Sequence, residues 1–145
     1  MFLDSELRIS SAQVATTNTT TVTTNGYDTG LIGRRIGTGE PLVVVFFVES
    51  RTGSADTFSF EAISAADAAL TSSVTRLALR GPFTAAQIPV GTAVVVDVPP
   101  GLPTQRYLGG RYTLGSSDAL TASAFVMPRS FLDNLAYFAS GFTMI

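Results

Sequence analysis

The run Leu42-Val43-Val44-Val45-Phe46-Phe47-Val48 constrains the fold more than any other feature of the chain. It is apolar throughout, β-branched or aromatic at nearly every position, and short. Gly37, Gly39 and Pro41 precede it and Gly53 follows it. Such a segment reads as a central strand buried on both faces. Its seven residues fall far short of the roughly 20 that a membrane-spanning helix requires.

Five further strands are expected. Thr57 to Ile63 alternates, with Phe58, Phe60 and Ala62 on one side, as a half-buried antiparallel strand does. Val74 to Leu79 is closed by Gly81-Pro82, and Thr92 to Val98 is stopped by Pro99-Pro100, where neither proline can donate to a ladder. Arg106 to Leu114 contains Gly109-Gly110, which predicts a bulge or a close backbone approach. Leu120 to Met127 ends at Pro128. Short helical turns are expected at Ala65 to Leu70 and at Phe83 to Ile88. Punctuated strands without βαβ alternation predict an all-β fold, a single-domain antiparallel jelly-roll-like sandwich with extended N- and C-terminal segments.

Three regions follow. Residues 1–28 read as a Thr-rich arm or edge strand, because Thr16 to Thr24 has strand propensity but Val22 as its one apolar anchor. Residues 29–128 form the sandwich. Residues 129–145 form an apolar segment in which Phe131, Leu135, Phe138 and Phe142 recur at helical spacing, although a strand fits its last residues as well. Burying its large side chains contributes about 1.5–3 kcal/mol each, against a backbone entropy cost of about 1–2 kcal/mol per ordered residue. The segment should therefore order against a large preformed apolar surface, with a neighbouring subunit favoured over its own sandwich.

Composition bears on function more than on fold. Of 145 residues, 46% are hydrophobic and 14% charged, against about 25% charged in an ordinary soluble domain. There is no Cys, His, Trp or Lys, so every basic residue is Arg. That removes imidazole and thiolate catalysis, Ser-His-Asp triads and Schiff-base lysines. A net charge of -2 is too balanced for nonspecific nucleic-acid binding. The all-Arg usage fits either codon bias or a surface that faces other protein, where bidentate pairing suits arginine. The acidic opening, with Asp4 and Glu6, lacks the cationic start of a signal peptide, so synthesis in the cytosol is expected.

The remaining chemical candidates are weak. Gly30, Gly33, Gly37 and Gly39 form no phosphate-loop motif and precede a strand where a nucleotide loop follows one. Arg34 and Arg35 in that loop can grip a carboxylate, as a protein-interface pair. Glu49, Glu61 and Asp97 are the acids near strands, but nothing selects a pair from them for glycosidase chemistry. No acid-rich calcium loop is present. The chain is thus expected to be no enzyme and to hold no cofactor or metal.

Two stretches carry a family resemblance. One runs from Thr29 to Leu42 and includes Ile36-Gly37-Thr38-Gly39-Glu40-Pro41-Leu42. The other comprises Val98-Pro99-Pro100-Gly101, Gln105-Arg106-Tyr107-Leu108, Arg111-Tyr112-Thr113-Leu114-Gly115 and Thr121 to Val126. Together, and in this order, they resemble the capsid cement (decoration) protein family first known from the short-tailed Bordetella phage, over Met1 to about Met127. The resemblance implies a jelly-roll-like protein outside a tailed-phage capsid that locks adjacent major capsid subunits together, with no enzyme activity or cofactor. The segment from Arg129 to Ile145 extends past the family's usual ending.

The expected location is therefore the virion exterior after synthesis in the host cytoplasm, and the expected partner is the major capsid protein, not nucleic acid or membrane. Low charge and apolar ends predict self-association, with a homodimer favoured over a trimer. The candidate interface residues are Thr19, Thr21, Val22, Arg34, Arg35, Phe131, Leu135, Phe138 and Phe142. A carbohydrate- or receptor-binding β-sandwich is the alternative function. It is disfavoured by the lack of Trp and of an aromatic platform.

Overall fold

A computed structural model describes residues 7–16, 19–30, 40–53, 57–100, 105–115, 118–132 and 143–144. Among these residues the strands are β1 (Arg8–Ala15), β2 (Thr20–Val22), β3 (Tyr27–Asp28), β4 (Leu42–Thr52), β5 (Phe58–Ala65), β6 (Thr75–Phe83), β7 (Thr92–Asp97), β8 (Tyr107–Leu114), β9 (Ala119–Pro128) and β10 (Thr143–Met144). They form two sheets. Sheet A has the order β1-β9-β4-β7-β10, and sheet B has the order β2-β8-β5-β6 with β3 also paired to β8.

The antiparallel pairs are nested: β5 with β6, β4 with β7, β2 and β3 with β8, and β1 with β9. The chain is thus one long hairpin with its tip between β5 and β6, rolled so that successive pairs fall in alternate sheets. That is the topology of a jelly roll. Pairing of β4 with β9 and of β5 with β8 closes the two sheets.

The expected central strand is β4, flanked by β9 and β7 and buried from Val43 to Val48. Alternation splits its side chains. Val44, Phe46 and Val48 enter the core between the sheets, while Val43, Val45 and Phe47 enter a second cluster on the far side of sheet A. The core centres on Phe46, whose ring lies 5.2 Å from both Phe60 and Tyr112. Tilted and edge-on aromatic pairs of this kind add about 0.5–1.5 kcal/mol each beyond the burial itself. The Tyr112 hydroxyl, on β8, meets Ser10 Oγ, on β1, at 3.0 Å and so links the two sheets through the core.

Gly109 and Gly110 mark a close approach and not a bulge, since the β5–β8 register runs through them unbroken. A Cβ on Gly110 would stand 2.6 Å from the Phe46 ring, and one on Gly109 would collide with Leu70.

The structure corrects several expectations. Of the two readings of the N-terminal region, β2 is the edge strand, paired to β8 of the same chain, while β1 is a core strand that buries Ile9 and Ala15 and not an arm. The β6 strand continues through Gly81-Pro82 (a cis peptide) to Phe83, which an edge strand permits because its outer side needs no N–H donor. Residues 66–73 form an Asp67-centred turn in place of a helical one. Asp67 accepts the N–H groups of Thr71 (2.9 Å) and Ser72 (2.8 Å) and the Thr71 hydroxyl (2.6 Å), and these bonds hold its carboxyl below the usual range. That turn folds Leu70 over Ile63 and Ala65, so β5 is buried on both faces for most of its length and not half-buried.

At the C-terminal end, β10 joins sheet A in parallel to β7, the one parallel pair in an otherwise antiparallel arrangement of described strands. Helix is described at 130–132. Leu132 packs into the apolar cluster outside sheet A. These described parts of the segment therefore pack on the chain's own sheet.

Candidate protein interface

The acids weighed for chemistry are each engaged by different partners. Glu49 accepts a hydrogen bond from Ser123 Oγ, Asp97 pairs with Arg129, and Glu61 pairs with Arg111 and Arg76. Each carboxylate is thus a structural partner of a hydroxyl or a guanidinium. Among the described residues, no group of three or more His, Cys, Asp or Glu could hold a metal ion.

A jelly roll presents two outer sheet faces, and here they differ. Outside sheet A, Val43, Val45, Phe47, Ala93, Val95, Phe125, Met127 and Leu132 form one apolar cluster, each at most 8% exposed. Phe47 and Phe125 meet edge-on, 5.6 Å apart. This cluster is closed within the single chain, and Val14 on β1 is the exposed apolar residue at the side of the same face.

The outer face of sheet B is covered at one end, where Leu70 packs over Ile63 and Ala65, and is open beyond that cluster. Strand register lines up Val22, Arg111, Glu61 and Leu79 in one row across all four strands. The row points outward because Phe60, Ala62 and Tyr112, beside Glu61 and Arg111 in sequence, point into the core. Thr20 and Thr113, also paired, are exposed beside it, and Leu79 is 44% exposed. At the centre, Glu61 is buried and pairs with Arg111 Nε through one oxygen and with Arg76 Nη1 at 3.4 Å through the other. The Arg76 side chain is 56% exposed.

At the end of the sandwich where β3 meets β8, Arg106 forks onto Asp28 at 2.9 and 2.8 Å. That pairing, with the Gly30 N–H as a further donor, holds the Asp28 carboxyl down to about 2. An apolar groove of about 170 Å³, lined by Leu7, Tyr27, Leu42, Met127, Pro128 and Phe131, opens elsewhere on the surface.

The candidate interface residues from the sequence are thus dispersed. Thr19, Thr21 and Val22 lie at the β2 edge of sheet B. There Leu114 N donates to Thr19 O, and Gln13 Nε2 donates to Val22 O at 2.7 Å. Phe131 lies at the groove, exposed. Arg34, Arg35, Leu135, Phe138 and Phe142 lie outside the described residues. The triad of Arg76, Glu61 and Arg111 was not singled out from the sequence. Its signal there is a charged residue between core residues, as in Phe60-Glu61-Ala62 and Gly110-Arg111-Tyr112, but the register that joins them spans 50 residues.

The Bbp16 family model matches residues 9–127, from Ile9 in β1 to Met127 in β9. The chain belongs to the Bbp16 family. The name points to a Bordetella phage protein. No curated protein matches the chain. The match spans the jelly roll and stops short of Phe131, Leu132 and β10.

Proposed function

We propose that this Bbp16-family chain is a virion structural protein, a capsid cement that binds the outer capsid surface and locks adjacent major capsid subunits. The observation that carries this reading is the family match across the jelly roll from β1 to β9. It is supported by the placement of Glu49, Glu61 and Asp97 in separate structural pairs, and by the polar open part of sheet B's outer face set against the buried apolar cluster outside sheet A.

The mechanism is added interface area. Strands β5, β6 and β8 are eight or nine residues long and β2 is three; at about 3.3 Å per residue and about 4.8 Å between strands they span roughly 400 Å², part of it under the Leu70 turn. A stable interface buries about 800 Å² per partner. The open part of sheet B's outer face therefore supplies less than half of such an interface, and the adjoining turns and the β6 edge supply the rest. Contact across two shell subunits raises the free energy needed to separate them.

The test is quantitative protein analysis of intact particles together with co-sedimentation on purified shells. Near-stoichiometric amounts relative to the shell protein, and saturable sedimentation, are expected. Absence from particles and no binding to shells would overturn the proposal.

A further inference from the structure

Glu61 is the one described carboxylate that serves two arginines. Asp28 serves Arg106, Asp97 serves Arg129, and Glu49 is bound by Ser123. The outer face of sheet B therefore carries an excess positive charge at its centre. A guanidinium has five N–H donors. Glu61 takes Nε of Arg111 and one Nη of Arg76, and among the described residues neither arginine has a further hydrogen-bond partner. Buried Glu61 fixes both guanidinium groups before any ligand arrives, which lowers the entropy cost of binding.

We infer that Arg76 and Arg111, held by Glu61 at the centre of sheet B's outer face, receive a carboxylate from an acidic segment of the capsid shell protein. This rests on the cement reading and names the chemistry of its contact. A carboxylate matches the planar donor edge of arginine, and charge-assisted pairs of this kind are the strong ones. A polyphosphate backbone would need several cations in a row, whereas one unit of charge is in excess here. Leu79, exposed in the same row, offers apolar contact beside them, as a peptide segment requires. A carboxylate from a different protein is favoured over the described acids of a second copy, of which Asp28, Glu40, Glu49, Asp67 and Asp97 already accept hydrogen bonds within their own chain and Asp118 is fully buried.

The experiment compares the wild-type chain, Arg76→Gln and Arg106→Gln on purified shells lacking this protein, at low and high salt. Arg106→Gln removes the same charge away from the triad. In parallel, the arginine Nε–H resonances of the full chain are followed by NMR as decaglutamate, and then decaglutamine, is added.

Arg76→Gln should bind shells at least tenfold more weakly with an unchanged melt, Arg106→Gln should bind as the wild type does, and decaglutamate alone should shift Arg76 and Arg111. Equal shell binding by all three chains would overturn the inference and leave the cement proposal standing. Failure of the wild type to bind shells, with the decaglutamate shifts intact, would sink the cement proposal and keep the carboxylate site. No decaglutamate shift, or an Arg76→Gln effect confined to self-association in light scattering, would overturn the site itself.

Discussion

On the outer face of sheet A, alternate residues of β4, β7 and β9 are valine, alanine, phenylalanine and methionine, and the chain buries them all together with its own Leu132. On the outer face of sheet B, beyond the patch where Leu70 covers Ile63 and Ala65, the corresponding positions of β2, β8, β5 and β6 include threonine, arginine, glutamate and a half-exposed leucine. Both faces belong to one jelly roll with one core, so the difference is not about making the fold. An apolar outer face must be covered, and here the chain covers it. A polar outer face built around a buried glutamate and two arginines stays soluble until a partner of matching chemistry arrives.

The largest test of this contrast puts one charge on each face. Val45→Asp buries a carboxylate in a fully enclosed apolar site and should cost more than about 4 kcal/mol, enough to unfold the domain. Thr113→Asp, on the open face, should stay within about 0.5 kcal/mol. Urea melts of the two variants decide it, and similar midpoints would dissolve the distinction. A gentler version removes cover. Leu132→Ala should cost about 2–4 kcal/mol and raise binding of a hydrophobic dye, while Leu79→Ala should cost less than about 0.5 kcal/mol.

Tyr112 separates the core from both faces by pH. Burial pushes its hydroxyl up to about 12, Ser10 partly offsets this by hydrogen bonding, and the charge of Glu49 adds to it. Below the ordinary value near 10 both folded and unfolded states keep the proton and nothing is lost. As pH rises from there through about 12, the unfolded chain ionises first, so stability should fall by roughly 2–3 kcal/mol. Alkaline urea melts should show this fall in the wild type and lose it in Tyr112→Phe.

The smallest effect concerns the exposed Asp28–Arg106 pair. The depressed carboxyl contributes stability above its ordinary value of 3.8, and that contribution disappears as pH falls toward about 2. Acid melts of Asp28→Asn should lack this slight slope, and an identical slope would place its origin elsewhere.

Much of the framework was legible in the sequence because β4 to β9 carry strong local signals: apolar runs, alternation, and proline or glycine at their ends. The β1 strand was missed for a physical reason. Its pairing with β9 shifts register between Arg8 and Ser10 and again between Ser10 and Gln13, and Ala12 takes a positive φ of 44°. Ile9 and Ser10 are therefore both buried while Val14 is exposed, and no clean alternation survives. The Thr-rich segment looked detachable because it has little to bury. Its anchoring comes from polar contacts instead, as Thr23 N donates to Gly110 O and Gly110 N to Thr23 Oγ1. The triad at Glu61 was hidden in the same way, since strand register set by the whole sandwich brings its members together.

Hydrogen–deuterium exchange of the free and shell-bound protein tests the central claim most directly. The account predicts that protection on binding concentrates at 76–79, 59–61 and 111–113, the peptides that carry sheet B's open face. Protection confined to 43–47 and 125–127, behind sheet A, or no added protection on bound particles, would contradict it.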